Sequence, residues 1–131
     1  MQVSPRSSGR VKPSGRGTEV AIWYLMRVTG VLLFVMALAH FSIMHFIWDP
    51  AEQTAEFVTR ERWNSLFWRA FDWTLLMIVL FHSFVGMRTV VLDYIHGTRA
   101  RLVMMSTLWI LAGILFVIGT LVVVTLPGLE V

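Results

Sequence analysis

His82 is the residue around which chemistry can be built in this sequence. It lies in Leu80-Phe-His-Ser-Phe-Val-Gly-Met-Arg-Thr-Val-Val-Leu-Asp-Tyr94, an otherwise apolar run that also carries Gly86, Arg88 and Asp93. An ionisable side chain inside an apolar span needs a partner, because hydrocarbon cannot solvate it. On a helix, offsets of four, seven and eleven return to nearly one face, so His82, Gly86, Thr89 and Asp93 share a stripe. Gly86 removes a side chain one turn from the imidazole and admits a flat ligand or another backbone. Two uses of His82 follow from its type: axial ligation of a haem held between two helices, or a hydrogen bond to a neighbouring helix. The residues alone favour neither.

Other polar residues in apolar surroundings are Arg27, His40 and His45. Arg27 could pair with an acidic group or snorkel to lipid phosphates, and snorkelling is the commoner use at such a depth. His40 lies about 12 Å inside Trp48 and is deep enough to hold an iron, whereas His45 is nearly at the interface. Helical phase votes the other way, since His45 shares a face with Arg27 and His40 is turned from it. For both, a polar contact or interfacial placement is the simpler reading. His96 falls in a turn. Paired catalytic carboxylates, nucleophile elbows and phosphate loops are absent from the sequence.

These residues must be positioned by membrane helices. Of the 131 residues, 56% are hydrophobic and 15% charged, against roughly a quarter charged in soluble domains. The predicted class is an all-α membrane protein with three transmembrane helices, at about 22–48, 68–92 and 102–126. Residues 1–20, rich in Ser, Gly, Pro and basic residues, form an expected flexible tail, and 21–131 form the membrane domain. Ala37-Leu38-Ala39 resembles a signal-peptidase site, but the apolar run continues past it to Trp48. Between the first two spans, Phe57, Trp63, Phe67 and Trp68 recur among charges, as in an amphipathic interfacial helix. Ser106, Gly113 and Thr120, seven apart in the third span, predict a small-residue packing stripe.

Arg6, Arg10, Lys12 and Arg16 precede the first span and Arg99 and Arg101 the third, which places the N-terminus inside and the C-terminus outside in the cytoplasmic membrane. His82, roughly 21 Å from Trp68, then lies in the inner half, with Asp93 and Tyr94 at the inner surface. No cysteine is present, which excludes disulfides and Cys-ligated clusters and leaves histidine to hold any redox cofactor. A net charge of +3 gives no argument for nucleic acid. A bundle this small needs companions to enclose a cofactor, so the chain reads as a subunit.

With these residues in place, the chain resembles the membrane-anchor subunits of succinate dehydrogenase and fumarate reductase (respiratory complex II), and within them the hydrophobic anchor lettered D. The resemblance covers about residues 22–126. It is carried by Arg27-Val-Thr-Gly30 and by His82-Ser-Phe-Val-Gly86-Met-Arg88-Thr-Val-Val-Leu-Asp93-Tyr94. It implies that His82 ligates haem b, with the second ligand from a companion membrane anchor, that Arg27 lies near the haem propionates, and that Tyr94 hydrogen-bonds a quinone, ubiquinone or menaquinone. Asp93 would stand beside that quinone and pair with an arginine of a partner. Flavoprotein and iron-sulfur subunits would dock on the cytoplasmic side, and higher oligomers of the complex are compatible with this. Relatives with two haems use a first-helix histidine, which makes His40 the candidate ligand of a second haem. The implied activity is electron transfer from succinate oxidation to quinone. The alternative is a haem-free transporter component or an assembly and interaction protein, with His82 lining a polar path.

Overall fold

A computed structural model describes residues 17–126, and among the described residues there are helices and short connections but no strand. Three long helices dominate: α1 (Gly17–Ser42), α3 (Leu66–Tyr94) and α4 (Thr98–Thr125), with the single-turn α2 (Ala55–Phe57) between the first two. The π-helical turn Ile43–Ile47 continues α1, so the first apolar rod runs from Gly17 to Ile47. All three rods are long and apolar enough to cross a membrane. Even α4, with 28 residues, measures roughly 42 Å at ~1.5 Å per residue, against about 30 Å of hydrocarbon.

All three helices begin before their expected starts. Gly17 to Val20, the last residues of the expected tail, are helical, and α3 and α4 both begin before their expected starts at 68 and 102. Hydropathy marks only the stretch that lies in hydrocarbon, whereas backbone hydrogen bonding continues through the headgroups until something ends it. Only Ile95, His96 and Gly97 separate α3 from α4, a connection tied by Arg101 Nε donating to the carbonyl of Ile95 at 3.0 Å. Residues 1–16, which hold most of the expected tail, and 127–131 lie outside the described residues. Ala37-Leu38-Ala39 sits in the uninterrupted interior of α1.

α3 is the middle helix and packs on both α1 and α4. On α1 the half-buried positions include Ile22, Met26, Thr29, Leu33, Met36 and His40, alternating in steps of four and three. That spacing is the seam of two helices crossing at a shallow angle. In the α3–α4 contact Gly119 lies against α3, where a Cβ would run into the Leu76 side chain. Next to it, Trp73 Nε1 donates to Thr120 Oγ1 at 3.3 Å. Of the expected stripe, Thr120 is therefore at the contact, while Ser106 is exposed and nothing lies within 4 Å of a Cβ at Gly113. Gly119, one residue off the stripe, is the α4 glycine that lies against α3.

Very little is enclosed. Val91 and Val123 are the buried apolar residues among those described, and side chains such as Val31, Phe34, Leu102 and Ile110 are largely exposed. Between lipid tails this is no penalty, since hydrocarbon is as apolar as the side chains facing it.

The segment between α1 and α3 is a chain of short turns where a continuous interfacial helix was expected: the 3-10 turn Pro50–Glu52, α2, and the π-helical turn Val58–Arg62. Asp49 caps the first by accepting from the Ala51 N–H at 2.9 Å, and Thr54 caps α2 by accepting from the Phe57 N–H at 3.3 Å. Each cap favours a fresh helix start over continuation of the preceding one. Gln53 Nε2 donates to the Met44 carbonyl, and Trp48 packs edge-on to Phe57, so the segment folds back over the end of α1.

Candidate functional site

The register of α1 against α3 brings the two sequence motifs together. Thr29 Oγ1 lies 3.1 Å from His82 Nδ1. Gly30 is the neighbour that makes room: a Cβ there would stand 3.3 Å from His82 Cε1. One turn along α3, Gly86 faces the tip of Met26, whose Cε would be 3.6 Å from a Cβ at that position. The half-buried imidazole therefore sits in the α1–α3 seam beside Gly30, a residue without a side chain. Thr29 also donates its hydroxyl to the Leu25 carbonyl at 2.7 Å. His82 Nε2 has no hydrogen-bond partner among the described residues.

Towards the α1 N-terminus, Glu19, Trp23, Met26 and Arg27 of α1 and Gly86, Arg88 and Thr89 of α3 border a groove of about 590 Å³. The Arg27 guanidinium is stacked 3.4 Å from the centre of the Trp23 ring and donates from Nη1 to the Trp23 carbonyl at 3.3 Å. Stacking on an indole holds the planar cation at a fixed height while its remaining N–H groups stay available. Arg88 is exposed at the edge of the same groove. Asp93 and Tyr94 end α3 at this end of the bundle; both are exposed, Tyr94 at 80%. Thr89, expected on the His82 stripe, is exposed and turns its hydroxyl back to the Val85 carbonyl at 3.2 Å.

At the opposite end of the bundle, one cluster escaped the sequence reading. Arg62, 5% exposed, donates from Nε to Asp72 Oδ2 at 2.8 Å and from Nη2 to Asp72 Oδ1 at 2.6 Å. Trp63 Nε1 adds a third bond to Oδ2 at 2.9 Å, and the guanidinium lies 4.9 Å from the Trp68 ring centre. Arg69 donates twice to the Trp63 carbonyl, at 3.2 and 2.7 Å. The available signal was Asp72 itself, an acid six residues into an apolar helix, which calls for a cation within reach. His40 belongs to this cluster, its Nε2 3.8 Å from Asp72 Oδ1. His45 is exposed, stacked on Phe41 at 4.1 Å between ring centres, and His96 is exposed in the α3–α4 connection.

Thus His82 and the Arg27-Val-Thr-Gly30 segment come together, Arg27 shares its groove with α3, and Asp93 and Tyr94 stand apart at the helix end. Of the tryptophans, Trp23, Trp63, Trp68 and Trp73 each meet a specific polar partner.

Three apolar helices of spanning length define an integral membrane protein of the helical class. Over residues 4–123 the chain matches the succinate dehydrogenase/fumarate reductase transmembrane subunit family, and it belongs to that family. It is 34% identical over 83 residues to a succinate dehydrogenase hydrophobic membrane anchor subunit of Archaeoglobus fulgidus, covering 63% of this chain and 69% of that protein. Proteins of the same description from Rickettsia prowazekii and Rickettsia typhi are also 34% identical over 83 residues, and there the match covers 60% of this chain and 60% of each relative. Family membership bears out the resemblance carried by the two motifs and leaves the transporter reading without support.

Proposed function

We propose that this chain is the hydrophobic anchor of a succinate:quinone oxidoreductase, contributing His82 as one axial ligand of haem b and Tyr94 and Asp93 to the quinone site. The observation that carries the haem assignment is the state of His82: in the membrane-spanning seam, beside Gly30, with one ring nitrogen at Thr29 and the other unpartnered among the described residues. A donor set of one half-buried imidazole suits a haem shared with another helix, because a single chain then supplies one axial bond. When bound, haem b supplies a one-electron redox site inside the low-dielectric bundle.

The other residues take roles by position. Arg27, stacked on Trp23 beside the groove, offers its free N–H groups to a carboxylate, and a haem propionate is the carboxylate of this reading. Tyr94 would donate its phenol hydrogen to a quinone carbonyl and hold the head group while protons arrive from the aqueous side. Its high exposure in the isolated chain supports a site completed by a partner. Asp93 would pair with a partner arginine there. The open faces of α1 and α4 suit a companion membrane anchor, with iron-sulfur and flavoprotein subunits at the Asp93–Tyr94 end and succinate oxidation carried out by the flavoprotein. The basic residues around that end make it the cytoplasmic side, with the N-terminus inside and the C-terminus outside. In the isolated chain His40 lies 3.8 Å from Asp72, and this reading assigns it no ligand role.

The test is the reduced-minus-oxidised spectrum and the haem content of the assembled complex. His82→Ala should remove the b-type signal or sharply lower haem content, whereas an unchanged spectrum would refute ligation by His82. Two haems per wild-type complex would return His40 to the role of second ligand.

A further inference from the structure

We infer that Thr29 is a positioning residue for His82: its hydroxyl oxygen accepts the Nδ1–H, which fixes the imidazole as the tautomer with its lone pair on Nε2, turned to meet a haem iron. This inference rests on the haem reading above and assigns a role to a residue of α1 that does not itself touch the iron.

The argument is a proton count. A threonine hydroxyl has one hydrogen to give and lone pairs to receive others. The shortest contact of Thr29 Oγ1 is to the Leu25 carbonyl, at 2.7 Å, and a carbonyl can only accept. That contact takes the hydroxyl hydrogen. At 3.1 Å from His82 Nδ1 the same oxygen must then act as acceptor, and the hydrogen between them belongs to the imidazole. A neutral imidazole protonated on Nδ1 carries its lone pair on Nε2, the form able to bind iron. Because Thr29 gives its own hydrogen to Leu25, its oxygen becomes a better acceptor, so the chain from Nδ1–H through Oγ1–H to the carbonyl strengthens link by link. Gly30 leaves the ring room to reach Thr29, since a Cβ there would stand 3.3 Å from Cε1. Acceptance of Nδ1–H also makes the ring a more basic ligand, which favours ferric over ferrous iron.

Thr29→Val keeps the side-chain shape and removes the acceptor, whereas Thr29→Ser keeps the acceptor and removes a methyl. In the assembled complex, Thr29→Val should raise the midpoint potential of haem b, alter the low-spin ferric electron paramagnetic resonance signal and weaken haem retention by about 10-fold. Thr29→Ser should behave as wild type in all three. A valine complex with wild-type potential and resonance overturns the inference, even where its yield is reduced, since lower yield alone reports a packing role. Should the valine variant not assemble, Thr29→Cys, with a weaker acceptor of similar size, is read the same way: a raised potential supports the inference and an unchanged one overturns it. Loss of haem in His82→Ala together with an unmoved potential in the Thr29 variants removes this inference alone, whereas retention of the haem in His82→Ala removes the haem reading as well.

Discussion

Removing the Asp72 carboxylate should free the segment between α1 and α3 from the membrane helices. Asp72 is the single acceptor for three donors, Arg62 Nε, Arg62 Nη2 and Trp63 Nε1, at 2.8, 2.6 and 2.9 Å. The pair is well enclosed, with side chains 4% and 13% exposed. Loss of one partner of a buried ion pair costs about 3–5 kcal/mol, mostly because the other charge is left unpaired. Arg62 keeps its place over the Trp68 ring and lies near the interface, so the lower end, about 3 kcal/mol, is the fitting value for Asp72→Leu. The energy acts locally, since the Trp63 amide, bonded to the Val58 carbonyl at 2.8 Å, sits inside the segment being held. Amide hydrogen exchange of the assembled complex should therefore show Trp63 opening on the order of 100-fold faster, at ~1.4 kcal/mol per factor of ten. Combining Asp72→Leu with Arg62→Met should return exchange close to wild type, because an apolar pair leaves no stranded charge. Wild-type exchange at Trp63 in Asp72→Leu alone would show that the latch is held by something other than this carboxylate.

Gly119→Val should weaken the α3–α4 contact by roughly 1–3 kcal/mol through collision with Leu76, whereas Gly113→Ala, with open space around it, should leave thermal stability of the complex unchanged. A comparable loss in both would place the contact elsewhere. Tyr94→Phe should slow quinone reduction while succinate oxidation with an artificial acceptor stays at the wild-type rate, because in the proposed function the phenol hydroxyl is the group offered to quinone and the flavin chemistry lies on another subunit. Equal quinone turnover in the variant and wild type would remove Tyr94 from the site.

His82 was legible as a site because its type is costly in hydrocarbon, and helical periodicity placed Gly86 on its face. What sequence periodicity leaves open is which residue of another helix stands opposite. Thr29 is one polar residue in a long apolar run, and its offset of 53 positions from His82 follows no local rule. The Ser106, Gly113 and Thr120 stripe shows the same limit, since regular spacing marks a face but a Cβ would meet α3 at Gly119 and nothing at Gly113. At the other end of the bundle, Arg60, Arg62 and Arg69 look alike in sequence. The turn Val58–Arg62 delivers Arg62 to Asp72, while Arg60 pairs with Glu56 at 3.3 Å and Arg69 goes to the Trp63 carbonyl.

By itself the sequence determined three membrane-spanning helices, the family, and the one histidine within the second span. These follow from composition, from period, and from motifs that lie within single helices, where each residue's surroundings depend on near neighbours. Tertiary structure alone decided that Thr29 and Gly30 of α1 meet His82, that Arg27 borders a groove shared with α3, and that Asp72 gathers Arg62, Trp63 and His40. The physical reason is that lipid penalises any unpaired polar group but does not specify its partner. The partner is set by the register and crossing angle of two packed helices, which depend on every side chain along the seam.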